Sequence, residues 1–180
     1  MNTRPHVITH WLDHLAHQLP SIRALEVGRI RSVTETRGHS TKHIACHPAV
    51  ATLVSIDASP ATRGPTLEIV PIEHHHKIEL VDADAITWLE STNDREFDFA
   101  YLDGRNDAKF CLDLLLLAVR VVTSGAIIIQ DDTDGPAGVV KGREIKPYVS
   151  EHPDVFKVLE DVPRDATCHG LLVMQVEGCK

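Results

Sequence analysis

The amino-acid sequence predicts an α/β protein built on a doubly wound, mostly parallel sheet of seven strands with an antiparallel C-terminal strand pair. Three observations predict it. From Ile22 onward, five apolar runs alternate with segments of helical character. Two more apolar runs, Val155 to Leu159 and Leu171 to Val176, follow with only a loop carrying Pro163 between them, a hairpin-like finish. Acids close four of the strands: Asp57, Asp84 just past the third, Asp103 and Asp131. Doubly wound sheets bind ligands beyond the carboxyl ends of their strands, so these acids are expected to gather in one place.

Composition bounds the rest. A chain of 180 residues with 43% hydrophobic content has material for one well-buried core, so we expect a single domain over 1–180, with an N-terminal helix in 1–20 and the core in 22–177. The apolar share is aliphatic, with aromatics at only 4%, which suits a packed sheet better than a surface that stacks bases. A formal net charge of −8 also argues against a nucleic-acid partner. The four cysteines (Cys46, Cys111, Cys168 and Cys179) form no C-x-x-C pair, which suggests neither a zinc knuckle nor a disulfide framework and points to a reducing, cytoplasmic setting. The N-terminus lacks the apolar core of a signal peptide, and no run reaches membrane-spanning length, so no membrane partner is expected.

In chain order, Val7, Ile8, Trp11, Leu12, Leu15, Ala16 and Leu19 recur at three- and four-residue spacing, predicting a helix over 7–19 that packs on the sheet with its histidines facing solvent. The first strand, Ile22 to Val27, turns at Glu26-Val27-Gly28. The polar segment Arg29 to Arg37 is too long, and too poor in glycine, for a G-x-G-x-x-G turn. Gly38-His39-Ser40-Thr41 then predicts a helix start with hydroxyl caps, whose amides could hold a carboxylate. The second strand, Ala51 to Ile56, closes on Asp57, where an acid can accept hydrogen bonds from both hydroxyls of a ribose.

Pro60, Pro65 and Pro71 restrict any helix between them to short pieces. The adjacent His74, His75 and His76 point in different directions on any regular element and are not expected to share an ion. Lys77 to Val81 reads as the third strand, with Asp84 beyond it as a helix cap or an acceptor for an exocyclic amine. The fourth strand, Phe97 to Leu102, delivers Asp103-Gly104. A strongly apolar helix follows over 110–122, then a fifth strand over 125–129, apolar on both faces, ending in Gln130-Asp131-Asp132. A sixth helix is predicted over 138–149.

Taken in order, Glu26-Val27-Gly28, Gly38-His39-Ser40-Thr41, Asp57, Asp84-Ala85, Phe97 to Gly104 and Gly125 to Asp132 resemble the class I S-adenosylmethionine-dependent methyltransferases, more narrowly the small O-methyltransferase-like branch of this Rossmann-like family. The likeness spans nearly the whole chain. It implies S-adenosylmethionine as cofactor and a small-molecule methyl acceptor, most simply a hydroxyl oxygen. Glu26 and Gly28 would shape the turn under the methionine part, and Ser40 would help to hold its charged ends. Asp57 would take the ribose, Asp84 and Ala85 the adenine, and Asp103 the region beside the amino group and methyl. Metal-dependent members also bind Mg2+ through an acid after the fourth strand and a pair after the fifth, here Asp103, Asp131 and Asp132. The lysine those enzymes place three residues after the first acid is Asn106 in this chain, so the base is either missing or replaced by a substrate group, His39 or Lys109. Asp103 and His39 are thus the catalytic candidates.

Two other readings compete. A Rossmann-type NAD-dependent oxidoreductase also needs an acid after the second strand, but the missing glycines and Glu26 inside the motif count against it. A non-catalytic cofactor-binding or assembly module would keep the fold without transfer. The short chain lacks lid insertions, so a partner or a second copy in a homo-oligomer could complete the pocket.

Overall fold

The computed structural model describes residues 3–34, 39–92, 96–135, 138–165 and 168–177. Seven strands form one sheet: β1 (Ile22–Val27), β2 (Val50–Asp57), β3 (Ile78–Asp82), β4 (Phe97–Leu102), β5 (Val122–Asp131), β6 (Phe156–Val162) and β7 (Leu171–Val176). Their spatial order is β3-β2-β1-β4-β5-β7-β6. The β1–β2, β1–β4, β2–β3 and β4–β5 pairs are parallel, while β7 runs antiparallel to both β5 and β6. The last two strands are paired as expected, with β7 inserted between β5 and β6.

Period-two alternation along the central strands divides the core between two faces. On β5, Ala126 and Ile128 point to one side with β4 residues Phe97, Ala100 and Leu102, and Ile127 and Ile129 point to the other with Phe99 and Tyr101. Helices α4 (Ala85–Ser91), α5 (Ala108–Val121) and α6 (Gly142–Glu151) cover the first face through Leu89, Leu114, Leu115, Ala118, Ile145 and Val149. Helices α1 (Thr3–Ala16) and α2 (Ser40–Ala45) cover the second through Val7, Ile8, Leu12, Leu15, Ile44 and Ala45. A 3-10 turn at Pro60–Thr62 leads into the short α3 (Arg63–Ile69), as the prolines require. Strand order reverses between β1 and β4, and this reversal opens the crevice that the site occupies.

Three helices depart from the sequence expectations. Helix α1 begins at Thr3 and ends at Ala16, earlier than the expected 7–19, because its first turn carries the buried but polar Arg4, which hydrophobic periodicity does not register. The expected hydroxyl caps of α2 are not used. His39 precedes the helix in the left-handed region, φ 51°, without a side-chain cap bond, and Thr41 Oγ1 donates instead to Glu26 Oε2 at 2.7 Å. Gly38, named in that expectation, lies outside the described residues, as does Cys179. Helix α6 starts at Gly142, not 138, after a loop in which Gly138 has φ 110°. The His74 to His76 run forms a 3-10 helix over Ile72–Lys77, and His75 Nε2 lies 2.9 Å from the Val70 carbonyl oxygen.

Candidate active site

A cavity of about 860 Å³ opens at the carboxyl ends of β1, β2 and β4. Its floor depends on Gly28. This residue has φ 92°, and a Cβ there would lie 2.1 Å from the Asp103 carbonyl oxygen, so only glycine lets the β1 turn pass against the end of β4. Gly28 N donates to Ile56 O at 2.9 Å and Asp103 N donates to Val27 O at 2.8 Å, fixing three strand ends to one another.

Of the residues expected to meet a cofactor, Gly28, Ser40, Asp57, Asp84, Ala85 and Asp103 all line this cavity, and so does His39. Asp57 is held by two backbone amides, Arg29 N to Oδ2 at 2.9 Å and Ser59 N to Oδ1 at 2.8 Å, an orientation that leaves lone pairs on both oxygens. Asp84 caps α4: its Oδ1 accepts from Thr87 N at 3.1 Å and from Thr87 Oγ1 at 3.3 Å. Ile30, Ile56 and Phe110 add apolar wall.

Glu26 is placed differently. It is fully buried beneath the cavity and is not among the lining residues. Its Oε2 receives the hydroxyls of Thr41 and Ser55, at 2.7 and 2.5 Å, and so ties α2 to β1 and β2. Burial raises its pKa above the usual carboxyl range, against the lowering effect of the Ser40, Ser55 and Thr41 hydroxyls.

The three acids at the ends of β4 and β5 converge: oxygens of Asp103, Asp131 and Asp132 lie within 4.8 Å of one another. Two cations that the sequence reading did not assign reach them. Lys141 Nζ lies 2.5 Å from Asp103 Oδ1 and 3.0 Å from Asp132 Oδ2. Arg4 Nη2 lies 2.8 Å from Asp131 Oδ1 and 3.2 Å from Asp132 Oδ1, and its Nε donates to Asp131 Oδ1 at 3.2 Å. Tyr101 Oη donates to Asp131 Oδ2 at 2.6 Å. Asp131 is wholly buried and lies below the cavity, which Asp103, Asp132, Arg4 and Lys141 border.

Burial and the Asp103 charge push the Asp131 carboxyl up, and Arg4 opposes them. Burial alone would lower the Lys141 pKa, but Asp103 and Asp132 outweigh it and the net effect is upward, so the ammonium stays charged. Both non-glycine residues with positive φ among those described, His39 at 51° and Asp132 at 56°, border this cavity, and such backbone strain concentrates at functional sites.

Asn106 and Lys109 resolve differently from the expectation. Lys109 is exposed and pairs with Asp113 at 2.7 Å on the outer surface of α5, away from the cavity lining. Asn106 clamps the loop before α6: its Nδ2 donates to Gly138 O at 2.5 Å and its Oδ1 accepts from Val140 N at 2.9 Å. That loop carries Lys141. From there Lys141 reaches Asp103.

Arg29 was also not anticipated. Its guanidinium is buried and donates through Nη2 to Asp82 Oδ1 at 2.7 Å and to Asp57 O at 3.3 Å; Arg63 also binds Asp82. These two arginines hold the Asp82 carboxyl below its usual pKa. Of the Arg29 to Arg37 segment, Arg29, Ile30, Arg31 and Thr34 line the cavity, and residues 35–37 lie outside those described.

Strand order β3-β2-β1-β4-β5-β7-β6, one antiparallel strand, and a cavity over the β1–β4 crossover define the fold of the class I S-adenosylmethionine-dependent methyltransferases. Residues 35–133, more than half of the chain, match a family model described as a methyltransferase domain, and the chain belongs to that family. Among curated proteins, none matches it. Solved structures share the fold. Cofactor-bound Rv0187 from MTB is 19% identical with a TM-score of 0.74, covering 99% of this chain and 82% of that one. The O-methyltransferase from Bacillus cereus in complex with SAH is 16% identical with a TM-score of 0.71, over 98% and 82% of the two chains. The O-methyltransferase TomG from Streptomyces achromogenes, in complex with SAM, is 18% identical with a TM-score of 0.70, over 98% and 80%. Among the described residues, no helix is long and apolar enough to cross a membrane.

Proposed function

We propose that the protein transfers the methyl group of S-adenosylmethionine to a hydroxyl oxygen of a small molecule. The observation that carries this reading is one cavity onto which Asp84, Asp57, Gly28 and Asp103 all open, from the successive neighbouring strands β3, β2, β1 and β4. Two of the similar structures are named as O-methyltransferases, and they are complexes with SAH and SAM.

The residues present fit the cofactor. Asp57, already fixed by two amides, offers a charged acceptor for a vicinal diol. Asp84 and Ala85 at the start of α4 would border the adenine. Ser40 and Asp103 would meet the amino-acid end, with Gly28 admitting it close to the backbone. Arg29 lines the cavity, and its buried guanidinium braces the β2 and β3 ends through Asp57 O and Asp82. When bound, S-adenosylmethionine supplies an electrophilic methyl, and the protein's part is to place the acceptor oxygen in line with it and to exclude water.

Mg2+ fits less well. The carboxylates have the right chemistry and converge, but two protein cations stand between them, and an added divalent ion would face Arg4 and Lys141 at close range.

Mass spectrometry of the purified protein for retained S-adenosylmethionine or S-adenosylhomocysteine tests the reading, followed by calorimetric titration with S-adenosylhomocysteine and NAD. Binding of the former is expected. Tight NAD binding with no response to S-adenosylhomocysteine overturns it in favour of the oxidoreductase.

A further inference from the structure

We propose that the ammonium of Lys141 occupies the place of a divalent ion, bridging Asp103 and Asp132 and offering its remaining N–H to the acceptor oxygen, so that transfer proceeds without a metal. This rests on the methyltransfer reading above and names the device that receives its acceptor.

The seat of Lys141 is built from three separate parts of the chain. Its side chain is 4% exposed, yet the residue borders the cavity. Asn106 holds the preceding loop at both Gly138 and Val140. Gly142 lets the start of α6 touch the turn after β5, where a Cβ would lie 2.2 Å from Thr133 O. An ordinary residue at 142 would push Lys141 away from Asp132. These contacts fix where the ammonium sits before any ligand arrives.

Five of the six carboxylate oxygens, all but Asp103 Oδ2, already accept from protein donors. Lys141 takes Asp103 Oδ1 and Asp132 Oδ2, Arg4 takes Asp131 Oδ1 and Asp132 Oδ1, and Tyr101 takes Asp131 Oδ2. A divalent ion needs about six oxygen ligands. Here it would have to displace donors from these oxygens and bring two more positive charges beside two existing ones. An ammonium has three N–H donors, and two are committed to Asp103 and Asp132. The third is the one that a hydroxyl oxygen in the cavity can accept.

This arrangement selects the acceptor. A fixed positive charge beside the oxygen favours its anion, so the substrates are hydroxyls acidic enough to ionise, such as phenols and enols. The hydroxyl proton passes to water. The oxyanion then forms the O–CH3 bond as the S–CH3 bond breaks, and the electron pair of that bond stays on sulfur. An anion and a sulfonium become a neutral ether and a neutral thioether, so charge balances without an oxidant or reductant.

Mn2+ titration followed by electron paramagnetic resonance, on full-length protein saturated with S-adenosylhomocysteine, tests the proposal. The wild type is expected to leave millimolar Mn2+ with its free-ion spectrum, whereas Lys141→Met, which exposes Asp103 and Asp132 without their ammonium, gains one bound Mn2+. Stoichiometric Mn2+ binding by the wild type overturns the proposal and needs no variant. So does a Lys141→Met protein that folds, binds S-adenosylhomocysteine and takes up no Mn2+. With S-adenosylmethionine and a panel of phenols, EDTA should leave wild-type turnover unchanged; turnover that appears only on adding metal, or no turnover of any phenol, overturns it. S-adenosylhomocysteine binding, measured separately by calorimetry, reports on the methyltransfer reading alone.

Discussion

Replacing Asp57 by Ala separates the two things this carboxylate does. In the free protein it receives Ser59 N at 2.8 Å and Arg29 N at 2.9 Å, and in the proposed complex it receives a ribose diol. Hydrogen bonds to a charged acceptor contribute about 1.5–3 kcal/mol, so the loss of the diol contact should weaken cofactor binding by about 10- to 150-fold. Loss of the two amide bonds should also lower stability, by about 2–4 °C in Tm for each kcal/mol in a chain of this size. Calorimetric titration with S-adenosylhomocysteine measures the first effect and thermal unfolding of the free protein measures the second. Asp98→Ala is the control. Asp98 accepts from Arg23 N at 3.0 Å and from Thr123 Oγ1 at 3.2 Å and is not among the cavity-lining residues, so its removal should lower Tm and leave affinity unchanged. Wild-type affinity in Asp57→Ala, with Tm lowered as in the control, would refute the assignment of Asp57 to the ribose.

Other outcomes follow from the same contacts. Tyr101→Phe removes the donor from Asp131 Oδ2 in a fully buried site and should cost about 1–3 kcal/mol of stability without touching the cavity; an unchanged urea midpoint would contradict the bond. Gly28→Ala places a Cβ 2.1 Å from Asp103 O at φ 92° and should cost at least about 2 kcal/mol, read by thermal unfolding; a Tm equal to that of the wild type would contradict the close approach. Burial raises Glu26 above its ordinary pKa of 4.5, so the native state holds its proton more tightly than the unfolded chain does. Its contribution is therefore fully present below the ordinary carboxyl value and is lost as pH rises through the raised folded value. Glu26→Gln should remove that part of the decline in a series of urea midpoints against pH, and an unchanged slope would count against it.

The strand ends and their acids were legible in the sequence because both are local properties. A run of aliphatic residues specifies a buried strand, and the next polar residue marks where it leaves the sheet. Asp57, Asp84, Asp103 and Asp131 are therefore expected at one rim from the sequence; the first three line the cavity, whereas Asp131 is wholly buried below it. The cations are not legible in this way. Arg4 meets Asp131 from 127 positions away on α1, and Lys141 meets Asp103 from 38 away at the start of α6, the two helices packing on opposite faces of the sheet. Nothing local marks a charged side chain for burial; that is decided by which carboxylates the packed helices bring it against. Asn106 is the sharpest case. In the sequence it stands where a lysine is missing, and only the tertiary structure makes it the clamp on the loop that supplies one. The sequence alone thus determined the sheet, its crevice and the negative rim, while packing determined which buried cations bridge the acids of that rim, because charge pairing depends on distances that only the folded chain sets.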